Sequence, residues 1–107
     1  MITTETIEEI TQLLVGKFNP EKVILFGSHA NGGADEDSDV DLLVVADTKL
    51  PPQDRFPEAS RLLADYPYAF DVIIKTPEEY ERLRKAVNNI VYFADKYGQA
   101  VYERRNG

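Results

Sequence analysis

Apolar residues recur three and four apart through the first 18 positions. Ile7, Ile10, Leu14 and Phe18 form one stripe, which predicts an amphipathic helix from Thr3 or Thr4 to about Phe18. Either threonine can cap it, and Glu5, Glu8 and Glu9 lie near its positive end. Asn19-Pro20 stops it. The period then changes. Lys22 to Phe26 (KVILF), Val40 to Ala46 and Ala69 to Lys75 (AFDVIIK) are short apolar runs that read as buried strands. The second is apolar on both faces after its first residues, so it belongs at the centre of a sheet.

Between these runs the pattern is helical or broken. Gly27 ends the first strand, Ser28 to about Asn31 starts a short helix, and Gly32-Gly33 breaks it. Asp35 to Ser38 is a polar loop, and Asp47 to Pro52 a turn. Phe56, Ala59, Leu62 and Leu63 mark a weaker helix from Gln53 to about Asp65, with Pro57 near its start and Tyr66-Pro67 at its end. Thr76-Pro77-Glu78-Glu79 is a strong helix start, with a Thr cap, Pro at the first position and acids in the first turn. That helix carries Tyr80, Leu83 and Val87, and Asn88-Asn89 interrupts it. Ile90, Phe93, Ala94 and Tyr97 resume the helical spacing. Gly98 is a C-terminal stop, Gln99 to Glu103 is a last short strand, and the tail from Arg104 is expected to fray. The order of elements predicts an α+β fold: a small mixed sheet flanked by helices, in a single domain spanning 1–107.

Composition narrows the class. A 107-residue chain with 43% hydrophobic residues and no cysteine is an ordinary small globular domain, and lacks both a disulfide framework and a thiolate metal site. No apolar run is long enough for a signal peptide or a membrane span, so the expected location is the cytoplasm. The net charge of −7 lies wholly in residues 1–50, and five acids fall between Asp35 and Asp41 with no base among them. Such a chain repels phosphate backbones, which argues against direct nucleic-acid binding. Metal ions held by the acids would reverse the local sign and attract a polyphosphate.

The chemistry concentrates between Val23 and Val45. Asp39 and Asp41 stand two apart at the head of a strand, so both side chains point to one face. Carboxylates that close raise each other's pKa unless a cation sits between them, and hard oxygen ligands suit magnesium or manganese. Asp71 heads the third strand. If that strand lies beside the second, as consecutive strands tend to, it completes a three-carboxylate cluster. Gly27-Ser28, after a strand and opening a helix, offers backbone N–H groups and a hydroxyl to a phosphate, although such a pair is more often only a turn. Two stricter patterns fail. The P-loop spacing Gly27 to Gly32 is followed by Gly33 and Ala34 instead of Lys and Ser or Thr, and an EF-hand reading puts Val40 at the turn glycine and Ala46 at the bidentate Glu. A solvated acidic loop accounts for Asp35, Glu36 and Asp37 but poorly for Asp39 and Asp41, which lead into an apolar strand. His29, the only histidine, has no evident partner. Tyr80, Tyr92, Phe93 and Tyr97 read as core and rim.

Gly27-Ser28, ten residues, Asp39-x-Asp41 and a later strand Asp71 together resemble the minimal nucleotidyltransferases of the DNA polymerase β-like superfamily. Nearly the whole chain matches their layout. The resemblance implies the nucleotidyltransferase fold and a reaction: transfer of a nucleoside monophosphate from a triphosphate, ATP first, to a hydroxyl, releasing pyrophosphate. It implies that Asp39, Asp41 and Asp71 are catalytic and hold two Mg2+ ions, with Mn2+ as the alternative, and that Gly27 and Ser28 hold the outer phosphates. It also implies a small helical HEPN-type partner, with this chain as the antitoxin that adenylylates it. The chain departs from the family where arginines often follow Gly-Ser: His29 and Asn31 stand there. That departure keeps a second expectation open, a binding module that neutralises its partner by occlusion.

Overall fold

The computed structural model describes residues 2–33 and 38–104. The expectations for Asp35 to Asp37 and for the last three residues lie outside them. Helix α1 (Thr4–Phe18) is capped by Thr3, whose hydroxyl accepts from the backbone N–H of Thr6, and it ends where Asn19 turns left-handed at φ 47°. Ile10, Thr11 and Leu14 are buried; Ile7 and Phe18 pack at the margin. Thr11 tolerates burial because its hydroxyl donates to the Ile7 carbonyl at 2.7 Å.

Four strands form one mixed sheet in the order β3-β2-β1-β4: β1 (Lys22–Phe26), β2 (Val40–Val45), β3 (Phe70–Lys75) and β4 (Gln99–Glu103). Strand β2 is interior, as its two apolar faces require. It runs antiparallel to β1 and parallel to β3, and β1 pairs antiparallel with β4. Alternation along the strands divides the core in two. Val23, Leu25, Leu42, Val44, Val72 and Ile74 meet α1 and α3 (Pro52–Leu62) on one face. Ile24, Phe26, Leu43 and Val45 meet α5 (Ile90–Tyr97) on the other, with Tyr80 and Leu83 of α4 (Pro77–Leu83) at its edge. The parity that sends Leu43 and Val45 toward α5 sends Asp41 there too.

Two helix ends differ from expectation in place and a third in geometry. Helix α3 closes at Leu62, short of Asp65, and Pro57 lies in its interior. Its Phe56 is exposed while Arg55 is buried. Arg55 donates to the carbonyls of Leu50 and Ile74 and pairs with Glu79 at 2.7 Å, so every contact spends guanidinium N–H groups on fixed acceptors. Helix α4 stops at Leu83, leaving Val87 outside it and 59% exposed. The cause is Asn89, whose amide donates to the Leu83 and Ala86 carbonyls while its oxygen accepts from Val91 and Tyr92. One side chain thus closes α4 and caps α5. Gly98 does end α5, but at φ −80° and not in a left-handed turn. A Cβ there would lie 2.4 Å from the Ala94 carbonyl and 2.5 Å from Ile24, so close packing is what excludes a side chain.

Candidate active site

The site lies where β1 ends and β2 and β3 begin. Phe26 is the register partner of Asp41 across the antiparallel pair, and Asp71 is its register partner across the parallel pair. Neighbouring strands run ~4.8 Å apart, so these two carboxylates are lateral neighbours on the α5 face of the sheet. The expected adjacency of the second and third strands therefore holds. Asp39 stands one residue ahead of β2, whose ladder opens with the Val40 N–H donating to Ala69 at 2.9 Å.

Gly27 serves this geometry as well as the turn. Its φ is 75°, and a Cβ on it would come within 2.3 Å of Oδ2 of Asp41. The bare backbone at Gly27 lets the Asp41 carboxylate lie against it. Ser28 opens the four-residue helix α2 (Ser28–Asn31), a turn closed by Ala30 N–H to the Gly27 carbonyl and by Gly33 N–H to the Ser28 carbonyl, both at 3.1 Å.

Asp41 is half-buried, and Asp39 and Asp71 are exposed. Two of the three carboxylates thus stand at the rim, where water stabilises their charge. Burial raises the Asp41 carboxyl above its ordinary value, Asp71 and then Asp39 raise it further, and His29 opposes them. Among the described residues no lysine or arginine forms an ion pair with any of the three. Nor, among those residues, are three carboxylate or imidazole groups gathered into a set that could hold a metal ion as the side chains stand. The Asp41–Asp71 pair fits a hard divalent cation by its chemistry: oxygen donors only, with negative charge that no lysine or arginine among the described residues pairs with.

His29 has a partner that its sequence context does not reveal. Its Nε2 donates to the Ser38 carbonyl at 3.3 Å, tying the turn after β1 to the segment that enters Asp39. The larger correction concerns aromatics. Phe93 and Tyr97 are half exposed, and with Ile90 they line a cleft of about 290 Å³ whose other wall is Gly27, Asp41 and Asp71. A wider hollow of about 790 Å³ runs along α1 past Glu5, Glu8, Gln12 and Tyr66, but it is an open helix flank with no strand-borne carboxylate.

Residues 8–105 match the family described as Polymerase beta, Nucleotidyltransferase. A candidate protein adenylyltransferase of Methanocaldococcus jannaschii is 30% identical over 100 residues, covering 94% of this chain and 95% of that protein. Among solved structures, a chain of a toxin–antitoxin crystallised with AMP-PNP superposes with a TM-score of 0.68 at 23% identity, covering 92% of this chain and 73% of the other. A candidate nucleotidyltransferase from Sulfolobus solfataricus gives 0.65 at 24% identity, covering 96% and 82%. These two likenesses concern the fold. Among the described residues no helix is long and apolar enough to cross a membrane.

Proposed function

Since this chain belongs to the polymerase beta nucleotidyltransferase family, we propose that it transfers AMP from ATP to a hydroxyl on a partner protein. The observation that carries the reading is the register of Asp41 with Asp71, beside a glycine that only a bare backbone can fill. Asp39 and Asp41, with Asp71, would hold two Mg2+ ions, or Mn2+. When bound, such ions supply charge neutralisation at the attacking and leaving oxygens of an in-line displacement.

The protein's own groups have separate tasks. Backbone N–H groups around Gly27 and Ser28 hold the outer phosphates. Asp71, exposed and lateral to Asp41, receives the proton of the acceptor hydroxyl. A bond forms between that oxygen and the α-phosphorus, the bond to the bridging oxygen breaks, and pyrophosphate departs. Phosphoryl transfer asks mainly for positioning and charge balance, which so small a set of groups can supply.

The acceptor we propose is a small helical HEPN-type protein that this chain neutralises as an antitoxin in the cytoplasm. The toxin–antitoxin neighbour and the adenylyltransferase relative support it. One observation favours a second reading, occlusion without chemistry: no arginine or lysine pairs with the carboxylates among the described residues, and His29 replaces the arginine that often follows Gly-Ser. The test is incubation with ATP labelled on its α-phosphate, Mg2+ and extract of the native source. The transferase reading expects one labelled polypeptide, and no label with Asp41→Asn or with chelator. A partner that stays neutralised but unlabelled would sink it and support occlusion.

A further inference from the structure

Helix α5 is apolar on two faces. Val91 and Ala94 are buried against the sheet, whereas Ile90, Phe93 and Tyr97, at positions i, i+3 and i+7, are 49%, 48% and 56% exposed. This stripe forms the apolar wall of the cleft that holds Gly27, Asp41 and Asp71. At about 290 Å³ the cleft sits at the small end of ligand pockets. It encloses one nucleoside-sized group and is too small for a helix of another protein, which is about 10–12 Å across.

The aromatic geometry suits a flat occupant. The Phe93 and Tyr97 rings lie within 20° of parallel with centroids 6.2 Å apart, so a planar ring system laid on one is aligned with the other. Tyr92 meets Phe93 edge-on at 5.4 Å, and the Lys96 ammonium stands 5.5 Å from the Tyr97 centroid, so each ring has a neighbour on its own helix that restrains it. A triphosphate anchored at the Gly27 turn, with its reacting phosphorus at Asp41 and Asp71, has its nucleoside end directed along the remaining wall, which is this stripe.

We infer that Phe93 and Tyr97 form the stacking platform for the base of the donor nucleotide, with Ile90 closing the cleft beside them. The inference rests on the nucleotidyltransferase reading of the aspartate pair. Stacking favours any base with enough π surface, so purine triphosphates bind better than pyrimidine ones, and adenine and guanine are little distinguished.

The test is calorimetric titration of the full chain with ATP and with inorganic tripolyphosphate, each with Mg2+. Phe93→Ala and Tyr97→Ala are expected to weaken ATP by about tenfold and leave tripolyphosphate unchanged. Phe93→Leu, which keeps the apolar bulk and so the fold, gives a smaller loss of the same selectivity. Tyr97→Trp adds an optical reporter to a chain without tryptophan; its emission should respond to ATP and not to tripolyphosphate. Unchanged ATP affinity, or equal loss for both ligands, overturns the platform. Unchanged ATP affinity with loss of partner labelling would reassign the stripe to acceptor docking. A wild-type chain that binds neither ligand overturns the nucleotidyltransferase reading itself.

Discussion

A Cβ placed on Gly27 would lie 2.3 Å from Oδ2 of Asp41. The glycine at the end of β1 and the aspartate at the head of β2 are therefore one unit, although 13 other residues separate them in sequence. Gly27→Ala faces two penalties, the clash and a side chain at φ 75°. It should lower stability by ~1–3 kcal/mol, read as a drop in melting temperature. Asp41→Ala in the same chain removes the clash and leaves only the backbone strain, so the double variant should recover part of the lost stability and none of the activity. Additive losses would show that the two residues are uncoupled.

Asp41 predicts how stability follows pH. Its folded-state carboxyl titrates above the ordinary value of 3.8, through burial first and then through Asp71 and Asp39. Between those two points the folded chain binds more protons than the unfolded one, so this residue makes stability fall as pH rises. The penalty is complete above the folded pKa and relieved as pH falls toward 3.8. Asp41→Asn should therefore raise the melting temperature at neutral pH and flatten its dependence between pH 4 and neutrality. Mg2+ should stabilise the wild-type chain at neutral pH, and the Asn variant much less. A neutral-pH melting temperature that Asp41→Asn lowers would contradict the charge strain.

Asn89 joins α4 to α5 through four hydrogen bonds to the backbone of Leu83, Ala86, Val91 and Tyr92. Asn89→Ala strands these groups near the edge of the core and should lose ~1–2 kcal/mol, measured by denaturant unfolding. Asn89→Asp keeps the N-cap acceptor but not the amide donor, so it should fall between the two. Hydrogen exchange at Val91 and Tyr92 should quicken in the Ala variant and stay slow in the Asp one.

What the sequence discloses depends on how local the cause is. The strands are short apolar runs bounded by turn residues, and β2 was legible as interior because both its faces are apolar. The Thr76 capping box is complete within four residues. Arg55 was not legible, because its acceptors Ile74 and Glu79 lie 19 and 24 residues away and an arginine in a polar helix reads as surface. Phe93 and Tyr97, which read as core and rim, stand on the exposed side for a related reason. Helical spacing identifies an apolar face but not what covers it, and the described residues leave this one about half exposed. Asp41 and Asp71 are legible as strand-borne acids, and Asp39 as their neighbour, although it stands one residue ahead of β2. Their unequal exposure is not, since it depends on where the sheet ends.

That inequality separates the roles of the carboxylates. Asp41 is half-buried, lies against Gly27 and is flanked by both other acids, whereas Asp71 is exposed at the edge of β3. As the proposed proton acceptor and one of the two exposed proposed metal ligands, Asp71 should contribute more to the transition state than to ground-state binding. Asp71→Asn should thus lower kcat by about 10²-fold or more while weakening ATP with Mg2+ much less than Asp41→Asn does in titration. Asp41→Asn should lose both, because it removes charge from the centre of the cluster. If Asp71→Asn weakens ATP as much as Asp41→Asn does, Asp71 is a nucleotide or metal anchor, and the proton of the acceptor leaves by another route.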